Sequence, residues 1–89
     1  MSSNEVYVGE QITTSQLIKG GFGTLGGIFC SSASGGPTIT IWDSLTGSGT
    51  KLVDSFTPVG ATPYPFPCGF GTGLYVTISG TASITVFWV

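Results

Sequence analysis

The stretch Thr38-Ile39-Thr40-Ile41-Trp42-Asp43, followed by Ser44-Leu45-Thr46-Gly47-Ser48-Gly49 and then Thr50-Lys51-Leu52-Val53, decides the fold class. The first run alternates with a period of two and is filled with β-branched side chains, as a half-buried strand requires. The Gly/Ser segment supplies turn chemistry and the second apolar run brings the chain back, so the whole reads as a β-hairpin. The period places Ile39 and Ile41 inward and Thr38, Thr40 and Trp42 outward, with Asp43 closing the strand at the turn. In the return strand either face fits the period, and Leu52 and Phe56 are taken as the inward pair against Val53 and Ser55. The strand is then echoed. Ser34-Gly35-Gly36-Pro37-Thr38-Ile39-Thr40-Ile41-Trp42 matches Ser79-Gly80-Thr81-Ala82-Ser83-Ile84-Thr85-Val86-Phe87 at an offset of 45 residues. Two like strands in so short a chain point to a compact all-β module.

Outward from the hairpin the chain divides into further short runs. Ile28-Phe29-Cys30-Ser31 reads as a strand with Ile28 and Cys30 on one face, ended by a Ser/Ala/Gly/Pro turn over 32–37. The five glycines between Gly20 and Gly27 include Gly21-Phe22-Gly23-Thr24-Leu25-Gly26, a superficial match to a dinucleotide-binding loop. No helix pattern follows it, so a glycine-rich bend or bulge is the reading. Four of the five prolines lie at 58, 63, 65 and 67, with Tyr64 and Phe66 between them. Proline removes a ladder donor, which excludes a central strand, and a long extended connection is expected there. Phe70-Gly71-Thr72-Gly73 reads as a turn, Leu74 to Ile78 as a strand, Ser79 to Ala82 as another turn and Ser83 to Val89 as the last strand. If Ile84, Val86 and Trp88 face the core, Phe87 and Val89 face outward. Seven or eight short strands with regular turns predict a single-domain antiparallel β-sandwich, jelly-roll-like, over 11–89, preceded by an N-terminal arm over 1–10.

With 89 residues there is one domain, and a chain of this size buries a limited core. Only 7% of residues are charged, against about 25% in ordinary globular proteins, so Ser, Thr, Gly and backbone cover the surface, which suits packing against other proteins. Lys19 and Lys51 are the only basic residues and the net charge is −2, leaving no electrostatic footprint for nucleic acid or an anionic membrane. No run approaches the roughly 18 apolar residues of a spanning helix. Met1-Ser2-Ser3-Asn4-Glu5 lacks the basic start and apolar stretch of a secretory signal, so the expected location is a cytosol or a particle assembled in one.

Histidine is absent, which removes the usual general base and with it Ser-His-Asp, Cys-His and His-metal sites. The four acids sit in the N-terminal segment (Glu5, Glu10) or around one hairpin (Asp43, Asp54), a placement that suits solvation and turn capping better than a paired-carboxylate glycosidase or a calcium cage. No catalytic, metal or cofactor-binding residue is expected, and no cofactor. Cys30 and Cys68 are too far apart for a redox pair and too few for a metal site. They are buried thiols or a mutual disulfide, the first favoured by cytosolic reduction. Tyr7, Trp42, Tyr64, Tyr75 and Trp88 offer rings on which a sugar could stack, although aromatic residues in strands more often serve core or interface. Glu5, Val6, Tyr7 and Val8 in the arm, with Trp42 and Phe87 on strand faces turned outward, are the candidate protein-interface residues.

The string Gly-x-Ile-Thr-Ile-aromatic-Asp, a small polar turn, Ser-Gly-Thr-Lys-Leu, then Gly-Leu-x-x-x-x-Ser-Gly and a terminal Ile-Thr-Val strand is carried here by Pro37 to Asp43, Ser48 to Leu52, Gly73 to Gly80 and Ile84 to Val86. Over residues 19–89 this resembles small tailed-phage virion proteins, most of all the capsid decoration or cement proteins. Pro37 departs from that pattern by replacing its usual glycine, and Cys30 and Cys68 fall where it normally has aliphatic residues. The resemblance implies a β-sandwich subunit that forms homotrimers over three-fold and quasi-three-fold positions of an icosahedral head, clamping neighbouring copies of the major capsid protein. The implied location is the virion, assembled in the host cytoplasm. These motifs are signatures of fold, and the decoration role follows from them by analogy. Two other classes compete: a glycan- or receptor-binding module of a phage tail or fibre, which needs an exposed aromatic pair with polar residues in one groove, and a filament subunit that grows by edge-strand addition.

Overall fold

The computed structural model describes residues 7–89. Six antiparallel strands follow one another, β1 (Val8–Ile12), β2 (Gln16–Gly20), β3 (Gly23–Asp43), β4 (Thr50–Phe56), β5 (Thr62–Phe70) and β6 (Gly73–Trp88), with no helix among the described residues. The chain is therefore all-β as its periodicity predicts, with six strands in place of seven or eight. The difference lies in two glycine segments. Residues 32–37 and 79–82, expected as turns, are bends inside β3 and β6, and they lie side by side, Ser34 opposite Thr81 and Thr38 opposite Ser79. Gly35 (φ 75°) and Gly36 (φ 68°) bulge out of β3, and Gly80 (φ 95°) bends β6, all in the left-handed region open to glycine. A turn and a bulge use the same residues; here each bend has the other as its ladder partner, so both strands continue through.

The bend folds the sheet over. A straight strand of 21 residues would run about 70 Å, yet the longest dimension of the molecule is 42 Å. The links between strands show how. β2 ends with Gly20 opposite Gly73 near the last residues of β3, and Gly23 then starts β3 opposite Phe70 at its other end. Gly71 and Thr72 make the same crossing in reverse, from Phe70 to Gly73, and the Gly21 N–H donates to the Thr72 carbonyl at 3.0 Å where the two links pass. The two ends of β3 are thus brought together by two-residue connections.

Each half of the folded sheet has four strands. The first half holds β1, the C-terminal part of β6, the N-terminal part of β3, and β5; the second holds β2, the N-terminal part of β6, the C-terminal part of β3, and β4. Exchanging β1, β2 and β3 for β4, β5 and β6 reproduces every pairing: β1 with β6 becomes β4 with β3, and β2 with β6 becomes β5 with β3. The sequence echo is the visible trace of this internal two-fold. Ile39 and Ile41 in one half and Ile84 and Val86 in the other are all fully buried, as are Leu74 and Val76 in the second half and Leu25 and Cys30 in the first. All eight belong to one apolar cluster, so the halves share a core.

The return strand settles its own ambiguity by bulging. Ile39 faces Phe56 and Ile41 faces Val53, with register shifts on both sides of Ile41, so Leu52, Val53 and Phe56 all reach the core margin. Leu52 and Phe56 are inward as expected, and Val53 joins them. The proline-rich segment is a correction: residues 62–70 form an edge strand, β5, and not a connection. Pro63 opposite Phe29 and Pro65 opposite Gly27 stand two apart in an unshifted stretch, so their missing N–H groups fall on one side of the strand. With that side turned to the open edge, the ladder to β3 loses nothing and the edge offers fewer donors to a foreign strand. On the core side Tyr64 and Phe66 pack with Phe56 at ring separations of 5.2 and 5.5 Å. At the other end of the chain, Val8, Gly9 and Glu10 pair with Trp88, Phe87 and Val86, so the sheet already includes the last three residues of the expected arm.

Candidate functional site

Because the halves are equivalent, their outward faces can be compared position by position. On the second half, Thr40 stands opposite Thr77 and Trp42 opposite Tyr75. Thr40, expected outward, does point away from the core, but it is only 6% exposed. Its hydroxyl lies 2.6 Å from that of Ser55. The Trp42 indole N–H donates to the Thr77 hydroxyl at 3.2 Å, and the Lys51 ammonium sits 5.5 Å from the Trp42 ring centre. The β3–β4 loop closes over this face. A side chain at Gly47 would put its Cβ 2.9 Å from Thr77 Cγ2 and 3.4 Å from Tyr75 Cε1, so the loop backbone rests on both. Within that loop Ser44 Oγ accepts the Thr46 N–H at 3.1 Å, the local side-chain bond that Ser favours in turns.

The first half presents the corresponding pairs Thr85 with Phe29 and Phe87 with Gly27. Phe29 and Phe87 are diagonal neighbours on adjacent strands, 36% and 37% exposed. They line an open groove of about 570 Å³ whose floor is Gly26 and Gly27 and whose walls include Tyr7, Pro63 and Pro65. The floor needs glycine at 27, where the obstacle is backbone, whereas at 26 it is the ring of an exposed side chain. A Cβ on Gly27 (φ 144°) would lie 2.5 Å from the Tyr64 carbonyl oxygen, and one on Gly26 would lie 2.7 Å from the Tyr7 ring. Of the ionisable residues in this half's strands, Glu10 carries the only carboxylate or ammonium; it is opposite Val86, on the core-facing side, where Gln16 donates to it at 2.8 Å.

Charge is concentrated on the second half and its links. Lys51 and Asp54 pair at 3.0 Å on exposed β4. The Asp43 carboxylate, expected to close its own strand, instead accepts the backbone N–H groups of Gly71 (3.0 and 3.1 Å), Thr72 (2.8 Å) and Gly73 (3.3 Å), clasping the link that crosses between halves. These bonds to the charged form, that from Gly71 first, hold its pKa below the ordinary carboxylate value. The hydrogen bond from Lys51 and that from the Ser55 N–H lower Asp54 in the same direction.

Of the interface candidates, Tyr7 and Phe87 meet at the groove, Val8 is exposed on β1 but stands opposite Trp88, on the same side as Glu10 and away from the groove, and Trp42 lies half-buried on the other half beside Lys51. Glu5 and Val6 lie outside the described residues. Phe29, Pro63 and Pro65 are groove residues that the sequence reading does not single out: Phe29 is legible from its alternation with Ile28 and Cys30, whereas the prolines reach the groove only because β5 pairs with β3. Cys30 and Cys68 are both free thiols. Cys30 is opposite Thr62 and Cys68 opposite Leu25, positions well separated along the β3–β5 ladder, where a disulfide needs Cα atoms within about 7 Å. Burial raises the pKa of both thiols, and the Asp43 charge adds to the rise at Cys68. Among the described residues no three of Cys, Asp and Glu gather as metal ligands would. The chain matches no protein-family model, no curated protein and no solved structure.

Proposed function

We propose that this chain is a structural virion protein of a tailed phage, a jelly-roll-like β-sandwich subunit that decorates or cements the icosahedral head by binding the major capsid protein as a homotrimer. The observation that carries the reading is the contrast between a shared, fully buried core and an open aromatic face that, among the described residues, carries no charge. Such a subunit offers a surface suited to burial against protein. Repeated on a lattice, modest contacts of this kind gain by multivalency. The composition supports the same role, since a chain without histidine and with 7% charged residues is poor in acid–base and electrostatic tools but well suited to permanent contact. The glycan-binding alternative is weaker at this groove, because Tyr7, Phe29 and Phe87 supply stacking faces while glycine and proline supply few polar groups to hold sugar hydroxyls.

Mass spectrometry of purified virions tests the role by counting copies against the major shell protein. Hundreds of copies per particle are expected of a decoration protein, whereas a handful would place the chain in a tail. Adding the purified protein to heads that lack it should restore occupancy, and failure to bind would overturn the head assignment.

A further inference from the structure

We infer that the end of the folded sheet where its two crossing links meet is a latch, which opens as one unit when Asp43 loses its charge and leaves the core in place. The latch does not depend on which partner the outer faces take. Each link crosses in two residues, Gly21-Phe22 from β2 to β3 and Gly71-Thr72 from β5 to β6, and the two are held by side chains of opposite charge. On one, the Asp43 carboxylate accepts the N–H groups of Gly71, Thr72 and Gly73. On the other, the Lys19 ammonium donates to the carbonyls of Gly20 at 3.3 Å and Phe22 at 3.0 Å. The Gly21 N–H joins the links by donating to the Thr72 carbonyl, so Thr72 is held by Asp43 through its N–H and by the other link through its carbonyl. Little that is apolar secures this end. Gly21, Phe22, Gly71 and Thr72 are all exposed and none belongs to the core cluster. Segments held by exposed polar bonds alone are the ones that open below the cost of global unfolding. Nor does a neighbouring charge take over from these bonds. Among the described residues the ion pair is Lys51 with Asp54 on β4, and the Lys19 ammonium is directed at its own link. Thr50 and Leu74, opposite Asp43 on β4 and β6, are uncharged. On β5 the Cys68 thiol is within reach of the Asp43 charge, and burial first and that charge second raise its pKa, so it stays neutral while Asp43 titrates. Protonating Asp43 therefore weakens its hold on three N–H groups of one link, and the Gly21–Thr72 bond passes the loosening to the other. Bonding to the charged form, from Gly71 first, keeps the Asp43 pKa below the ordinary 3.8, so the latch is shut above that value and opens as pH falls through the lowered one.

Amide hydrogen exchange of the intact chain, followed residue by residue by NMR in low denaturant, tests this with Asp43→Asn and Lys19→Met as variants. In the wild type the amides of Gly21, Gly71, Thr72 and Gly73 should share one opening, less protected than the buried Ile39 and Ile84 and less sensitive to denaturant. Asp43→Asn should speed exchange about tenfold or more at Gly71, Thr72 and Gly73, and by a like factor at Gly21, which Asp43 does not touch. Lys19→Met should speed it at Gly21 and Thr72. The Val59 N–H, bonded to the Tyr64 hydroxyl in the β4–β5 loop, is the control and should not change in either variant. In acid, after correction for the intrinsic rate, the wild-type link amides should converge on those of Asp43→Asn. If that variant does not fold, the wild-type acid series still reads whether Gly21 loosens together with residues 71–73. Link amides as protected as Ile39 and Ile84, with the same denaturant dependence, would overturn the inference, because the end would then open only with the whole molecule. So would a Gly21 amide that stays protected while residues 71–73 loosen, or link amides whose corrected rates do not rise in acid.

Discussion

The two halves of the molecule have one ladder and one core but two different exteriors. In the second half Thr40, Thr77 and Trp42 bond among themselves and with Ser55, and the β3–β4 loop rests on Thr77 and Tyr75; in the first half Phe29 and Phe87, the equivalents of Thr77 and Trp42, face a groove. The inward residues agree because both halves contribute to a single cluster, where a change of volume in either is felt by both. The outward residues have no such constraint and have diverged. An internal repeat therefore acts as its own control: what is alike between the halves belongs to folding, and what differs is where function is to be sought.

The strongest test of this contrast goes through the core. Ile39→Ala and Ile84→Ala occupy equivalent, fully buried positions, and each should cost roughly 2–5 kcal/mol in chemical denaturation, in a single transition. Two separated transitions, or a loss confined to one of the pair, would show that the halves do not share a core. A smaller effect is expected at the crossing link. Asp43→Asn retains the shape but weakens three charged hydrogen bonds, at a cost of about 1–2 kcal/mol near neutral pH. Because the folded-state pKa of Asp43 lies below the ordinary 3.8, its contribution is complete above that value and is lost as pH falls through the depressed one. The wild type should therefore lose its advantage over Asp43→Asn in acid, and parallel pH profiles would rule out the clasp. The smallest effect belongs to the exposed pair Lys51 and Asp54: Lys51→Ala should leave the denaturation midpoint unchanged within error, and a clear loss would mean that its place over Trp42 matters to the covered face.

Much of the interior is legible in the sequence. The period-two runs place Ile39, Ile41, Ile84 and Val86 inward and Phe87 outward, and the Gly/Ser segment at 44–49 does join two paired strands. Those features are local, set by the pleat and by turn chemistry within a few residues. The glycine segments at 32–37 and 79–82 are not legible as bends, because Gly35, Gly36 and Gly80 at positive φ serve a chain reversal and a bulge equally well. The proline run gives a true exclusion and an incomplete answer. It bars a central strand, but only the pairing of Pro63 and Pro65 with Phe29 and Gly27 makes the segment an edge.

Residue type and spacing shorter than a turn are enough to dictate an all-β chain, the inward face of each repeated strand and the poverty of charge. Three outcomes needed the folded chain: the echo is a two-fold, Asp43 clasps a link nearly thirty residues away, and one outer face is covered while its twin is open. Those outcomes depend on which distant segments meet, and a ladder formed across more than thirty residues leaves no mark on the local pattern of either strand.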